Sequence, residues 1–491
     1  MYTVINNIIK SHFKRSGKTD KGVYILLYNA VKTAIENGEI PDKTVMPPTR
    51  MLAEELSMSR STVVKAYEML TESRYLKSRQ GAGHTVVAVP QGLAPAQTEQ
   101  QGGYPEISEL GKSFLHNIHL LNSSGEGVAF TPGLPPLDVF PIGQWQKLTN
   151  LYWRNIKSSE LNYTISSGLD SLKVSIANYL LLSRNIKCDH KNIVIVAGSL
   201  QSLYLLGSVL VDKGNAVCLE NPTFPNVISI FQSLQAKVLP VETDENGLMV
   251  SQLASELHKS AKLVHTTPSN QYPTGGKMSL QRRLDLLKWA GENNALIIEN
   301  DYEHEINNWE KPIESIFSLD REQRTIYLGT FNRILHPSIR LGYMIVPSHL
   351  LPAVKALQMH SHRFVPQSIQ VVMNDFMNRK LLYKHIKNAI EEAEVRRKSF
   401  VSLFKKHFAE EMELRQTDTL SFHLLADIKN GVQDEALCAR LEAGGVIAHP
   451  LSKCYVDETN NSGLILGYSS VSKAFMTSPL LKMAGVFHGM H

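Results

Sequence analysis

The chain has 491 residues, enough for two or three domains that each bury a core of their own. Apolar residues make up 43% of it and charged residues 20%, a globular composition that excludes a disordered chain. The net charge of +5 arises within residues 1–90, where 13 Lys and Arg stand against 8 Asp and Glu, and the remainder balances at 38 against 38. A modest excess at one end is compatible with a polyanionic partner, although a solvated surface would also explain it.

The cysteines and the apolar runs exclude further classes. The first seventeen residues lack the apolar centre of a signal peptide, and no apolar run approaches eighteen residues. The four cysteines are far apart and form no Cys-x-x-Cys pair, which argues against structural zinc and against a disulfide framework: Cys188, Cys218, Cys438 and Cys454. We therefore expect a cytoplasmic protein with no membrane span and no bound metal.

Composition divides the chain into three parts. Residues 1–89 predict a small helical unit that ends in a hairpin, and residues 90–108, rich in Pro, Gly and Gln, have the composition of a linker. Over residues 109–491, short β-branched strands alternate with helical stretches, which predicts an α/β domain with a largely parallel sheet. The clearest predicted strands are Ile193–Val196, Ala216–Leu219, Leu263–Thr266, Leu296–Ile298 and Thr325–Leu328.

The N-terminal part contains the pattern of a helix-turn-helix. Apolar residues at helical spacing predict a first helix over Tyr24–Asn37. A short second helix over Thr49–Leu56 follows the Pro47–Pro48 pair, which stops any earlier helix. Ser59 closes the next turn and is a favourable N-cap for a third helix.

The third predicted helix has an apolar and a polar face. Val63, Tyr67 and Leu70 would pack against the first two helices. Its other face and its N-terminus carry the hydroxyl and basic side chains expected where a helix enters a DNA major groove: Arg60, Ser61, Thr62 and Lys65. A hairpin follows, with a glycine-bearing tip over Arg79–His84 that could reach a minor groove or phosphates. An ordinary three-helix bundle would explain any single piece, but the ordered set favours a winged helix-turn-helix.

Three short motifs in this region resemble the winged-helix domain of the GntR family of transcription regulators. They read Met46-Pro47-Pro48-Thr49-Arg50, Ser59-Arg60-Ser61-Thr62-Val63 and Gly81-Ala82-Gly83. The resemblance implies that the partner is double-stranded DNA. Together with the predicted helix, it assigns DNA contacts to Arg50, Ser59, Arg60, Ser61, Thr62, Lys65 and Gly81.

Seven ordered motifs in the large domain resemble fold-type I aminotransferases. They are Pro132–Pro136 with Phe140-Pro141, Tyr163 with Gly168 and Leu172, Ala197–Gln201, Glu220–Pro225, Thr267–Gly275, Glu299–Tyr302, and Gly329–Arg333 with Arg340–Tyr343. Joined to the N-terminal unit, they resemble the MocR branch of the GntR family. The resemblance implies a multi-domain chain, a winged helix-turn-helix followed by an α/β aminotransferase-like domain, and a homodimer.

In that family the motifs surround pyridoxal 5′-phosphate. The resemblance implies that the Gly198–Gln201 turn offers backbone N–H groups to the phosphate, that Phe224 stacks on the ring, and that Arg340 clamps the phosphate. Tyr302 corresponds to the tyrosine that reaches the ring hydroxyl. The residues assigned in this way to a cofactor or effector site are Ser199, Gln201, Phe224, Asn270, Asn300, Tyr302, Asn332, Arg333 and Arg340.

At two positions this chain lacks the residues that the family uses for catalysis. The family's Thr-Phe-Ser-Lys carries the lysine that forms an imine with the cofactor, whereas this chain reads Thr330-Phe331-Asn332-Arg333. Arginine stays protonated and forms no stable imine. Asn300 replaces the aspartate that pairs with the pyridine nitrogen, and Ile465 stands about where many aminotransferases hold an arginine for the substrate carboxylate. We therefore expect no catalytic residue, no covalent cofactor and at most noncovalent pyridoxal phosphate.

Two interpretations of Arg333 remain open. It either fills the pocket in a buried salt bridge with Asp301 or Glu299, or acts as a fork for the anionic group of a small effector. The favoured function is a DNA-binding regulator that senses such an effector noncovalently. The alternatives are a pyridoxal-phosphate-dependent aminotransferase, a regulator that retains noncovalent pyridoxal phosphate, and a constitutive DNA-binding protein whose large domain serves only for dimerisation.

Overall fold

A computed structural model describes most of the chain: residues 2–15, 22–79, 83–87, 106–117, 129–163, 165–308, 314–415, 420–429 and 431–489. The chain divides into two compact units, Met1–Glu106 and Ile107–His491, each with its own hydrophobic core. Most of the predicted linker, and Gly81 at the predicted hairpin tip, lie outside the described residues. Within the described part, no helix is long and apolar enough to cross a bilayer.

The described residues of the first unit form four helices and a two-stranded hairpin. The elements are α1 Tyr2–Arg15, α2 Val23–Glu36, α3 Thr49–Glu55, α4 Arg60–Glu72, β1 Leu76–Arg79 and β2 Gly83–Val86. The sequence predicted the second and third helices to within one residue at each end and the start of the fourth directly after the Ser59 cap. It missed α1, in which the polar pair Asn6-Asn7 obscures the apolar spacing. Ile5 and Ile9, four residues apart, nevertheless lie on one face and are buried in the core of the unit.

The turn and the third predicted helix form as expected. The Ser59 hydroxyl accepts a hydrogen bond of 3.2 Å from the Thr62 N–H and so caps α4. Val63, Tyr67 and Leu70 are fully buried. The packed face of the helix therefore fixes the direction in which its polar face points.

The hairpin is anchored to the loop that precedes α3. Its strands are antiparallel, with Leu76 opposite Val86, and the return strand begins at Gly83, two residues earlier than predicted. The Met46 N–H donates to the His84 carbonyl, and Lys43 and Thr44 pair with Val86 through their backbones. These bonds satisfy the inner edge of the hairpin and hold it beside the helices.

The second unit is built on an eight-stranded sheet. Its strands are β3 Ile193–Val196, β4 Ala216–Asn221, β5 Lys237–Asp244, β6 Gly247–Leu248, β7 Leu263–Thr266, β8 Leu296–Asn300, β9 Thr325–Thr330 and β10 Gly342–Ile345. Their order across the sheet is β3-β10-β9-β8-β7-β4-β5-β6. All five predicted strands are present, and the central pairs are parallel. The sheet is nevertheless mixed, because β10 runs antiparallel to both β3 and β9.

Helices cover the sheet and continue into a C-terminal subdomain. The α-helices are α5 Glu109–His116, α6 Ile142–Asn155, α7 Asp170–Arg184, α8 Ser199–Leu210, α9 Pro225–Ser233, α10 Glu256–Lys259, α11 Leu280–Glu292, α12 His304–Asn308, α13 Ile316–Leu319, α14 Leu351–Ser361, α15 Gln367–Asn378, α16 Leu381–Phe408, α17 Asp434–Ala443 and α18 Thr477–His488. Short 3-10 helices lie at Leu137–Val139, Ser158–Leu161, His190–Asn192, Val250–Ala254, Pro337–Ile339, Ser452–Cys454 and Lys473–Phe475.

The sequence did not predict a second, antiparallel sheet near the C-terminus. Its strands are β11 Met412–Leu414, β12 Leu424–Ile428, β13 His449–Pro450 and β14 Gly463–Leu466, in the order β11-β12-β14-β13. Phe130 bridges to Gly467, so the chain before α6 reaches this sheet. The segment that holds Gly133 thereby lies between the C-terminal sheet and the residues that follow the strands of the large sheet.

Candidate DNA-binding surface and effector site

The predicted DNA-contact residues in the described part of the first unit are mostly exposed. Arg50, Ser59, Arg60, Ser61 and Lys65 are exposed, and Thr62 is half-buried. The Ser59 hydroxyl lies 2.9 Å from Ser61 Oγ and 2.7 Å from Thr62 Oγ1. The three hydroxyls are thus linked at the start of α4, beside the exposed Arg60 side chain.

Lys65 has an aromatic neighbour that the sequence did not indicate. Its ammonium lies 4.0 Å from the centroid of the Tyr24 ring, at the first turn of α2. This is a cation–π contact between the helix expected to read DNA and the helix behind it. Periodicity could identify Tyr24 as part of a helix but could not show that it faces Lys65.

In the second unit, Asn332 braces the predicted phosphate-binding turn. Its Oδ1 accepts from the Leu341 N–H at 3.0 Å, and its Nδ2 donates to the Ala197 carbonyl at 3.4 Å. Gly198 has a φ of 133°, and a Cβ there would lie 2.7 Å from Asn332 Nδ2. Glycine is therefore required for the close approach of the two loops.

The other predicted phosphate-binding residues have separate surroundings. The Gln201 Oε1 accepts from the Ala197 N–H at 2.6 Å, so this side chain closes the turn that opens α8. Ser199, the first residue of that helix, is half-buried. Arg340 has a left-handed backbone with a φ of 48° and an exposed side chain. The described structure therefore does not enclose the predicted arginine clamp.

Aromatic rings lie beside the Arg333 guanidinium. The Phe224 ring stacks on Tyr272 with centroids 3.6 Å apart, and the edge of Tyr302 approaches it at 5.2 Å. The Tyr302 hydroxyl donates to the Asn270 carbonyl at 2.9 Å. The sequence predicted Phe224 and Tyr302 but missed Tyr272, although Tyr272 lies in the quoted Thr267–Gly275 motif.

Asn300 has a buried histidine as its neighbour. Its Nδ2 donates to His265 Nε2 at 3.3 Å, from β8 to the adjacent strand β7. Burial lowers the pKa of His265 to about 3, so the neutral ring accepts this bond at neutral pH. The Asn300 Oδ1 is buried and has no hydrogen-bond partner among the described residues.

The structure contradicts the proposed salt bridge between Arg333 and Asp301 or Glu299. Asp301 instead pairs with Arg184 at 2.9 Å. Glu299 accepts from the backbone N–H groups of Ile316 and Phe317 and lies 3.6 Å from Arg283. Neighbouring residues of a strand point to opposite sides, so these two acids face away from the side on which Asn300 lies.

Arg333 itself lies among glycine and aromatic residues. Its guanidinium packs directly on Gly133, where an added Cβ would lie 1.3 Å from Nη1. Its Cζ is 5.2 Å from the Phe224 centroid and 5.4 Å from the Tyr302 centroid. Within the described residues, no carboxylate lies within 4.0 Å of this half-buried cation. Its charge is therefore available to a ligand.

Glu303 is the acid that the Arg333 charge influences most clearly. Burial raises the pKa of Glu303, and the nearby Arg333 cation lowers it in part. Its Oε2 accepts from Asn270 Nδ2 at 2.7 Å and from Ser421 Oγ at 3.2 Å. Glu303 Oε1 and Asn270 Oδ1 are both buried without a hydrogen-bond partner among the described residues. The sequence did not single out Glu303, although it directly follows Tyr302.

The histidines near Arg333 and the apolar cluster around Ile465 carry no charge at neutral pH. Burial, reinforced by the Arg333 charge, lowers the pKa of His423 to about 3 and that of His449 to about 4. Ile465 belongs to a buried apolar cluster with Tyr272, Tyr302, Leu425, Leu451 and Cys454. The part of the pocket where the family's substrate-binding arginine was expected is therefore apolar in this chain.

The cofactor of this fold family does not fit the pocket in its usual covalent form. The Arg333 guanidinium, at the position where the resemblance expects the lysine, packs on Gly133 and is not a free amine. Asn300, at the position where the resemblance expects an acid, has a neutral amide, and its neighbour His265 is neutral as well. These residues supply neither an amine for an imine nor an acid for the pyridine nitrogen.

The fold and the site define a chain that joins a winged helix-turn-helix to an aminotransferase-like domain. Residues 140–463 match the family described as aminotransferase class I and II, and residues 24–86 match bacterial regulatory proteins of the gntR family. The chain belongs to the class I and II aminotransferase family and carries an N-terminal helix-turn-helix domain of the gntR family.

Several similar proteins share this organisation or part of it. The probable rhizopine catabolism regulatory protein MocR of Rhizobium meliloti is 29% identical over 94% of this chain and 93% of its own length. The HTH-type pyridoxine biosynthesis transcriptional regulator PdxR of Corynebacterium glutamicum is 30% identical over 66% of this chain and 65% of its own. The crystal structure of an archaeal alanine:glyoxylate aminotransferase has a TM-score of 0.69 and 24% identity, and covers 79% of this chain and 96% of its own. This last similarity shows the fold of the second unit.

Proposed function

We propose that this chain is a DNA-binding transcription regulator whose aminotransferase-like domain binds a small anionic effector without a covalent bond. The gntR-type helix-turn-helix domain and the similarity to regulators such as the MocR protein of Rhizobium meliloti support the first part. The position of Arg333 carries the second part. Its guanidinium stands at the lysine position of the family, against Gly133, with no carboxylate within 4.0 Å among the described residues.

Partial burial of the positively charged Arg333 side chain is unfavourable unless other groups replace the water that it loses. A half-buried guanidinium has lost part of its hydration, and an anion that accepts two parallel N–H bonds would replace that hydration. The aromatic rings of Phe224 and Tyr302 leave the cation unneutralised. An acidic group of the effector would therefore bind at Arg333.

The buried acceptors add a second requirement. Glu303 Oε1, Asn270 Oδ1 and Asn300 Oδ1 are buried and have no hydrogen-bond partner among the described residues. Buried acceptors without partners destabilise a protein by about 1–3 kcal/mol each. An effector that pairs its acidic group with hydrogen-bond donors would satisfy both sets of atoms.

We also propose that the chain does not catalyse transamination. Arg333 cannot act as the amine nucleophile, and Asn300 cannot hold a pyridine ring as a cation. A regulator that keeps pyridoxal phosphate noncovalently is the second candidate, because the Gly198–Gln201 turn still opens α8 with backbone N–H groups. The same experiments distinguish the two candidates.

We further propose a homodimer. Large apolar side chains are exposed along α6 and the segment after it, including Ile142 at 68%, Trp153 at 56%, Leu161 at 65% and Tyr163 at 76%. Several large apolar side chains exposed in one segment are more typical of a subunit interface than of a surface that faces only water. Light scattering at micromolar concentration should give twice the mass of one chain, and a monomer at all concentrations would contradict this part.

Ligand binding tests the role of Arg333. A panel of short mono- and dicarboxylates, with and without hydroxyl or amino groups, is scanned for a rise in melting temperature, together with free phosphate and pyridoxal phosphate. The wild type should be stabilised by at least one acid, and Arg333→Gln should lose that stabilisation. Arg321→Gln, at an exposed arginine, is the matched control and should keep it. If no acid binds, or if Arg333→Gln binds as well as the wild type, the proposal fails.

Borohydride reduction tests the covalent alternative. After incubation with pyridoxal phosphate and reduction, mass spectrometry should find no adduct at residue 333, whereas Arg333→Lys should acquire one. An adduct near residue 333 of the wild type, or turnover of any amino donor, would instead support an aminotransferase. Stabilisation by pyridoxal phosphate without an adduct would support the second candidate.

A further inference from the structure

One ring contact in the first unit extends the DNA-binding surface beyond the residues already assigned. The Lys65 ammonium lies 4.0 Å from the centroid of the Tyr24 ring, well within the range of a cation–π interaction. Tyr24 is half-buried in the first turn of α2, while Lys65 is exposed on α4. The contact therefore ties an exposed cation of one helix to a fixed ring of another.

The backbone before α2 accommodates this ring. A Cβ on Gly22, the N-cap of α2, would lie 2.8 Å from Tyr24 Cε1. Real Cβ atoms do not approach a ring this closely, so a side chain at this position would push the ring away. Gly22, Tyr24 and Lys65 thus form a stack that runs from the backbone of α2 to the exposed surface of α4.

Lys65 lies on the same face of α4 as the residues expected to meet DNA. It follows Ser61 by four residues, which places the two side chains next to each other on a helix. Ser61 is exposed and is linked through Ser59 to the capped start of the helix. The Lys65 cation therefore lies one turn beyond the N-terminal end that carries Arg60.

An aromatic partner has a different effect on lysine from that of an acid. A carboxylate would cancel the positive charge, whereas a ring restrains the ammonium and leaves its charge intact. Among the described residues, no carboxylate lies within 4.0 Å of Lys65. Lys32 provides the contrast, because it lies 5.6 Å from the Tyr75 centroid and is also paired with Glu36 at 3.8 Å.

We propose that Tyr24 is a positioning residue that holds the Lys65 ammonium at the edge of α4 for contact with a DNA backbone phosphate. The lysine side chain has about 2 kcal/mol of rotamer entropy to lose on binding, and the ring removes part of that freedom before DNA arrives. A preorganised cation binds more tightly without any new contact. The inference rests on the proposed DNA-binding function.

The test uses the full-length chain and a duplex selected from a random library by the wild type. Affinity is measured by fluorescence anisotropy between 50 and 200 mM salt. Lys65→Met should flatten the slope of log affinity against log salt by about 0.9, because one phosphate contact is lost. Tyr24→Leu should weaken binding by roughly twofold to fivefold, the effect of losing one exposed cation–π contact. Tyr24→Phe keeps a ring and should bind within about twofold of the wild type.

Coupling distinguishes positioning from a purely structural role. In the Lys65→Met background, Tyr24→Leu should cause no further loss of affinity. Lys32→Met is the matched control, since it removes a lysine that also faces a tyrosine but is paired with an acid, and it should leave the salt slope unchanged. Circular dichroism verifies that each variant is folded, and Tyr24→Phe provides a second, conservative comparison.

The possible failures are distinguishable. If Tyr24→Leu weakens binding equally with and without Lys65, or if Lys65→Met leaves both affinity and salt slope unchanged, the inference is wrong. DNA binding would still stand if Arg60→Ala weakened binding in the same assay. If the wild type selects no duplex at all, the proposed function fails and the inference fails with it.

Discussion

Arg184 Nη2 lies 2.9 Å from Asp301 Oδ2, and both side chains are completely buried. The Tyr327 hydroxyl donates to the same carboxylate oxygen at 2.9 Å. Burial by itself would raise the pKa of Asp301, but the Arg184 cation, together with His304 and the hydrogen bonds of Ser269 and Tyr327, outweighs burial and the pKa is lowered. The pair joins the last residue of α7 to the residue that follows β8. Because Asp301 is paired with Arg184, it does not pair with Arg333.

Loss of Arg184 should destabilise the second unit strongly. Arg184→Met would leave the Asp301 charge buried without its partner, and such changes cost about 3–5 kcal/mol. Urea unfolding followed by fluorescence measures the difference. The matched control is Arg282→Met, whose pair with Asp244 is partly exposed and should cost no more than about 1 kcal/mol. Equal losses for the two variants would contradict the assignment of a buried pair, and Arg184→Met/Asp301→Leu should recover part of the stability.

His265 should make the stability of the protein depend on pH. Its pKa is lowered to about 3 by burial, below its ordinary value near 6.5, so the unfolded chain takes up the proton first as the pH falls. Stability is therefore fully present above about pH 6.5 and decreases as the pH falls toward 3. Between pH 7 and pH 5 this residue should account for a loss of about 2 kcal/mol.

Unfolding of His265→Gln at the two pH values tests that contribution. The variant should lose about 2 kcal/mol less than the wild type between pH 7 and pH 5, because glutamine does not titrate in this range. His258→Gln, at a partly exposed histidine of α10, serves as the control and should follow the wild type. An identical pH dependence in His265→Gln and the wild type would mean that the ring is solvated in the folded state.

Gly133 should matter to the effector site through the position of the Arg333 guanidinium. A Cβ at residue 133 would lie 1.3 Å from Arg333 Nη1, so Gly133→Ala must displace that group. The residue also has a φ of +75°, which costs alanine about 1–2 kcal/mol. The variant should fold but lose the stabilisation that an acidic ligand gives the wild type, as measured by melting temperature.

Gly431→Ala separates displacement of Arg333 from backbone strain. Gly431 has a similar φ of +70°, but an added Cβ would meet no atom within 4 Å. This control should show the same loss of stability without ligand and an unchanged response to ligand. If Gly133→Ala also responds like the wild type, the guanidinium has moved without consequence and Arg333 is not the anion site.

Arg60 should contribute to the recognition of DNA. It is exposed at the N-terminal end of α4, next to the Ser59 cap. Arg60→Ala should cost about 1–3 kcal/mol and relax the sequence preference if the side chain contacts a base edge. If it meets only phosphate, the loss should be smaller and similar for all sequences. Lys288→Ala, at an exposed lysine of the second unit, is the control, and unchanged affinity in Arg60→Ala would remove this residue from the contact surface.

The sequence by itself determined the order of most helices and strands and the type of side chain at position 333. Helical spacing and the Ser59 cap located α2, α3 and α4, because these signals are local to a few residues. For the same reason, β-branched runs located β3, β4, β7, β8 and β9. Arg333, at the position where the resemblance expects the lysine, predicts that no imine forms there, since a guanidinium is not a free amine. The helix α1 was missed because polar residues interrupt its apolar pattern.

Tertiary structure decided which groups meet. Asp301 pairs with Arg184, which lies 117 positions earlier in the sequence. Glu303 is joined to Asn270 and Ser421, and the Arg333 guanidinium packs on Gly133. No periodicity encodes such pairs, because each depends on the register of strands and loops that are distant in the chain. The same holds for Tyr24 and Lys65, each of which a helical pattern places on its own helix but not against the other.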